Sequence, residues 1–154
     1  MSAIRSIELA IDLALRRRDE SVQHLAHAQQ NQGHAINQLQ QLKDYVLETD
    51  QRLLRQGSVQ VSLEVLRHHY QFMARLQEAI QMQTEVVGGL ERRVNFARAE
   101  LAKAESAVMG LRTVLKKRLD ERNQLAQRRE QSLMDELAAQ QHLRRVPAFA
   151  SGEH

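Results

Sequence analysis

Cysteine is absent from this chain, which excludes disulfide staples and thiolate metal sites and leaves only a mild lean toward a reducing compartment such as the cytoplasm. Proline occurs once, at Pro147, and glycine is scarce. Little therefore interrupts a helix between residues 3 and 144 apart from the region of Gly57. There is no tryptophan, and aromatic residues make up only 3% of the chain, too few to fill a thick globular interior although 154 residues would ordinarily make one domain. No run of about eighteen apolar residues exists. Glu8, Asp12 and Arg16-Arg17-Arg18 break up any apolar leader at the N-terminus, so a soluble, unexported chain is expected. Chemistry is missing as well: there is no phosphate-binding glycine loop, no nucleophile elbow and no pair of acids held in a pocket. A chain built as helices also lacks the concave, water-excluding site that catalysis needs, so a non-enzyme without cofactors is expected. His24 and His27 stand three apart, and His68 adjoins His69, but no further ligand is specified by spacing, so these are expected to be solvated surface histidines and no metal site is assigned.

What the sequence does contain is two long stretches of helical apolar spacing that mirror each other about Arg55-Gln56-Gly57-Ser58. Positions whose numbers sum to about 115 or 116 match in kind: Leu39 with Leu76, Ile36 with Ile80, Leu25 with Leu90, Val22 with Val94, Ile7 with Val108 and Ile4 with Leu111. The fold class this predicts is all-α, two long helices forming an antiparallel coiled-coil hairpin with the second helix longer than the first. Residues 1–146 form a single such hairpin: a first helix over about 3–54, a turn over about 55–60 and a second helix over about 61–145. Ser58 or Ser62 can cap the second helix. Arg145-Val146-Pro147 ends it, and 147–154 are expected to be a disordered tail.

Within the first helix, Ile7, Ile11 and Leu15 are two consecutive steps of four, a stutter expected to loosen the supercoil locally, and the seam turns polar around Arg18, Gln29 and Gln32. Within the second, Val87, Leu90, Val94, Ala97, Leu101, Ala104, Val108, Leu111 and Leu115 form the clearest seam. Gly88-Gly89 interrupts it at about 2 kcal/mol relative to two alanines. The pair reads either as a hinge or close backbone approach, opposite Ala26 and Ala28, or as a weak spot tolerated because the partner helix holds it.

Two features exceed the mirror. If Tyr70, Met73 and Ile80 face the first helix, then Phe72, Leu76, Ala79 and Gln83 form a neighbouring, partly exposed row that marks a partner contact, a wider core or the packing of a second copy. And because Ile4 pairs near Leu111, the rest of the second helix has no intramolecular partner, an overhang on the order of 48 Å. The segment from Arg112 to Arg145 carries nine Lys and Arg against five Asp and Glu, while the whole chain has a net charge of +3, so the positive excess sits in the overhang. A basic helix can serve nucleic acid, a membrane surface or an acidic protein. Interleaved acids, and the lack of an aromatic before Phe149, argue against nucleic acid.

Three stretches of the chain resemble the FliJ proteins of bacterial flagellar export, relatives of the injectisome stalk proteins. They are Gln38-Leu39-Gln40-Gln41-Leu42-Lys43-Asp44-Tyr45, Phe72-Met73-Ala74-Arg75-Leu76-Gln77-Glu78-Ala79-Ile80-Gln81-Met82-Gln83 and Arg128-Arg129-Glu130-Gln131-Ser132-Leu133-Met134-Asp135-Glu136-Leu137-Ala138. The resemblance implies a cytoplasmic, stalk-like component of flagellar type III protein export, associated peripherally with the inner membrane through the export apparatus and serving motility. Its implied partners are the hexameric export ATPase, the export gate protein and export chaperones, with no nucleic acid, no membrane insertion and a monomer when free. Carried over residue by residue, Phe72, Leu76, Ala79 and Gln83 look like the gate-binding patch, with Gln83 standing where that patch can carry His. Arg128, Arg129, Gln131, Met134, Asp135 and Glu136 look like the ATPase-binding end. An injectisome stalk, or a self-associating structural coiled coil, are the alternatives.

Overall fold

A computed structural model describes residues 2–56 and 62–150, with side chains over 3–55 and 62–145. The described residues form two helices, α1 (Ser2–Gln56) and α2 (Leu63–Ala150), so the all-helical class and the longer second helix read from the sequence are what the chain adopts. Ser62 caps α2: its Oγ accepts from the Val65 N–H at 3.4 Å, and its carbonyl accepts from Leu66 N–H at 3.2 Å. That hydroxyl satisfies one of the N–H groups left over at a helix start. The alternative cap, Ser58, and Gly57 lie outside the described residues. At its other end α2 continues through Pro147 to Ala150 rather than stopping at Arg145.

The chain divides into two compact units, one made of residues 15–106 and the other of 1–14 with 107–154. In the unit of 15–106, α1 and α2 pack antiparallel along one seam. Its α1 side is Arg18, Ser21, Leu25, Ala28, Gln32, Ala35, Leu39, Leu42, Val46, Thr49 and Leu53, all buried or half-buried, in unbroken alternation of four and three. On α2 the same spacing runs through Leu66, His69, Met73, Leu76, Ile80, Gln83, Val87, Leu90, Val94, Ala97, Leu101 and Ala104. That is the heptad period of a left-handed coiled coil, with Val94, at 2% exposure, its deepest point. Polar seam positions are satisfied locally: Thr49 Oγ1 donates to the Tyr45 carbonyl at 2.7 Å, and Gln83 Nε2 donates to the Ala35 carbonyl at 3.0 Å and to Gln38 Oε1 at 3.2 Å.

Several expectations are corrected here. The cross-helix contacts Ala35 to Gln83, Tyr45 to Phe72 and Asp50 to His69 have numbers summing to 118, 117 and 119, so the register is displaced by one to four residues from the 115 or 116 of the mirror. Val22 and Ile36, paired in the mirror, are exposed, and their neighbours Ser21 and Ala35 hold the seam. Bulk misled the expectation, because a seam is defined by spacing and tolerates small residues that let helices approach. His69 is not a solvated histidine either. It occupies a seam position with its Nε2 3.7 Å from Asp50 Oδ1, whereas His24, His27 and His68 are exposed.

In the second unit, Ile4, Ile7, Ile11 and Ala14 of α1 and Val108, Leu111 and Leu115 of α2 continue the same spacing. Ala14 is buried, as Ile11 is, and Leu15 is half-buried, so a small residue shares the seam position that the sequence spacing assigned to Leu15 alone. Leu115 is half-buried like Leu111, so the seam of this unit runs to Leu115 instead of ending at Leu111. From 116 to 145 every side chain is exposed.

Candidate partner-binding surfaces

The Phe72 row is divided by the coiled coil. Leu76, at 8% exposure, and Gln83 sit in the seam; Ala79 is half-buried at its edge; Phe72, at 39%, stands outside it; and Tyr70, expected to face α1, is exposed. The structure nevertheless brings Phe72, Leu76 and Gln83 to one place. With Gln38, Gln41, Leu42 and Tyr45 of α1 they line a groove of about 680 Å³ within the unit of 15–106. Tyr45 and Phe72 meet edge to face, centroids 5.8 Å apart and planes at 76°. Such a pair contributes about 0.5–1.5 kcal/mol beyond its buried area and fixes both rings as one wall of the groove. Leu42 and Leu76 supply an apolar floor, and three glutamine amides ring it.

That combination suits a partner segment that inserts an apolar side chain and offers hydrogen bonds around it. It does not suit catalysis, since no acid, base or nucleophile other than the Tyr45 phenol lines the groove. Tyr45, Gln38, Gln41 and Leu42 are absent from the sequence-derived patch. The signal for them was the hairpin itself: a row on α2 next to the seam must share its groove with the α1 residues in register with it.

The second surface is the exposed stretch of α2. Arg128, Gln131, Asp135 and Glu136 fall on one face with Ser132 and Ala139, at spacings of three and four. Arg129 belongs to another face, where with Arg118, Glu121, Arg122, Leu125 and Ala126 it lines a groove of about 410 Å³ completed by Ala3 and Ile4 of α1. Met134 projects with 70% of its surface exposed. The six residues therefore share one segment but not one face. Among the described residues no group of His, Asp and Glu is arranged to hold a metal ion, and no helix is long and apolar enough to cross a membrane.

Comparison with known proteins adds one match: the family model described as Flagellar FliJ protein covers residues 5–146, nearly the whole chain. No curated protein matches, and no solved structure matches.

Proposed function

The chain belongs to the flagellar FliJ protein family and is a component of flagellar protein export, and we propose that it acts as the non-enzymatic stalk of that apparatus, joining the export ATPase ring to the export gate. On this reading Phe72 and Ala79, with Tyr45 across the groove, meet the gate protein, while Arg128, Arg129, Gln131, Met134, Asp135 and Glu136 meet the ATPase. Export chaperones are escorted by the same protein, which works in the cytoplasm at the inner membrane surface.

The observation that carries the proposal is the sharp change in α2 at Leu115. Before it, one face of the helix is committed to α1; after it, every described side chain as far as Arg145 is exposed, and eight Lys and Arg stand against five Asp and Glu. Tertiary packing supplies most of the stability of a helix, so thirty unpacked residues are stable chiefly where something else takes up their surface. A ring that encloses the helix end does so from several sides at once, which fits residues distributed over more than one face. Individual exposed ion pairs contribute only about 0.2–1 kcal/mol, so such docking depends on many contacts and weakens with salt.

Phe72→Ala with Tyr45→Ala tests the gate contact while leaving the buried Leu76 in place. Secretion and motility should fall while the helical circular dichroism is kept; normal secretion from the folded double variant would remove the gate assignment. For the ATPase end, Arg128→Glu with Asp135→Arg should reduce co-purification with the export ATPase. If the unmodified chain retains no ATPase at all, the stalk reading fails.

A further inference from the structure

The heptad seam of α2 does not end with its partner. After Val108, Leu111 and Leu115, the next positions in the same spacing are 118, 122, 125 and 129, occupied by Arg118, Arg122, Leu125 and Arg129. All four line the groove closed by Ala3 and Ile4 at the start of α1. A seam that packs aliphatic side chains as far as Leu115 thus becomes three guanidinium groups around one leucine. None of the three forms an ion pair among the described residues. The first turn of α1, which borders the groove, contains no acidic residue to offset the positive end of that helix.

We propose that this groove receives an acidic amphipathic helix of another protein, lying in line with α1 and completing the coiled coil beyond Leu115. Two features specify the occupant. Continuity with the α1–α2 seam sets a helix whose facing residues recur at threes and fours. Charge complementarity sets carboxylates opposite Arg118, Arg122 and Arg129 and an aliphatic side chain opposite Leu125, and guanidinium forks match carboxylates well. Glu121 lines the same groove and would repel a polyphosphate chain, and no aromatic residue lies between 112 and 145 to stack a base, so a nucleic acid fits less well. Arg129 is the one side chain this groove shares with the segment proposed to meet the export ATPase; Arg118, Arg122 and Leu125 carry the proposal whether or not that segment does so.

The test uses the full chain and a designed helical peptide of about four heptads, long enough to be helical once paired, with Glu facing the three arginines and Leu facing Leu125. Binding is read by fluorescence anisotropy. Controls are a scrambled peptide of identical composition, a peptide with Lys in place of each facing Glu, and a single-stranded oligonucleotide. The designed peptide alone should bind well, and affinity should fall as salt rises. Arg118→Glu with Arg122→Glu should weaken it roughly tenfold or more, as losing and reversing two charge pairs requires. Leu125→Gln, which leaves every charge in place, should weaken it several-fold, separating a seam from bare attraction. Equal binding of the scrambled peptide, tighter binding of the oligonucleotide, unchanged affinity in the helical arginine variant, or occupation of the groove by a second copy in sedimentation would each overturn the proposal.

Discussion

Replacing both Gly88 and Gly89 by alanine should stabilise the protein. The pair lies inside α2, half-buried, and neither residue has a positive φ, so nothing in the backbone requires glycine. A Cβ built at Gly88 meets only Arg92 Nη1, at 3.9 Å, and one at Gly89 meets only Arg92 Nη2, at 3.8 Å. Those are ordinary van der Waals separations from the far end of a flexible side chain, which removes the close backbone approach from the two readings of this pair. Each glycine then carries only the helix-propensity deficit of about 0.8–1 kcal/mol relative to alanine, part of it arising from the freedom of the unfolded chain. The double variant should gain about 2 kcal/mol. With an unfolding entropy of about 2.1 cal/mol/K per residue, a chain of this length should melt roughly 6 °C higher by far-ultraviolet circular dichroism. Gly33→Ala and Gly110→Ala, where a Cβ meets nothing within 4 Å, are the single-site controls and should each give about half that gain. A melting point that falls in the double variant while the controls rise would refute this account of the pair. If the double variant is stabilised but no longer supports export, flexibility at this point is used, and the glycines are a hinge after all.

The remaining predictions concern the seam and its end. Val94→Ala removes the most deeply buried side chain and should cost about 2 kcal/mol, two methyl equivalents plus the residual cavity, whereas Val86→Ala, on the exposed side of the same helix, should stay within about 0.5 kcal/mol; equal losses in urea unfolding would mean that the heptad assignment is wrong. Deleting residues 130–154 should leave the unfolding of the paired helices within about 0.5 kcal/mol of the full chain, because no described side chain from 130 to 145 is buried, while binding to the export ATPase is lost; a large drop in stability would show that this segment packs on the rest of the chain.

How much of this was legible in the sequence depended on which residues carried the signal. The two helices, their order and their antiparallel pairing followed from the single proline, the scarcity of glycine and the recurrence of leucine, isoleucine and valine at helical spacing on both sides of one break. The register did not follow, because matching large residues across a turn of unknown length locates the pairing only to within about one helical turn, and a slip of a single position along α1 is enough to exchange Val22 and Ile36 for Ser21 and Ala35. Small residues are the difficulty. An alanine on a seam and an alanine on the surface look alike in one sequence, whereas in the fold Ala14 and Ala35 are buried.

The same ambiguity governs the Phe72 groove and the overhang. Sequence spacing isolates Phe72, Leu76, Ala79 and Gln83 as a row, but only the register shows that Leu76 and Gln83 hold the two helices together while Phe72 is free to turn toward Tyr45 and wall a groove. A substitution at Leu76 would therefore confuse lost binding with lost folding, and one at Phe72 would not. In the other unit Leu115 is half-buried, so the seam ends there and not at Leu111, and the next heptad positions, all exposed, are Arg118 and Arg122. Arginines that look like ordinary surface charge in the sequence thereby stand at the heptad positions that follow the seam, where the helix proposed above would partly shelter each ion pair from water and make each carboxylate it offers worth more than on an open helix face.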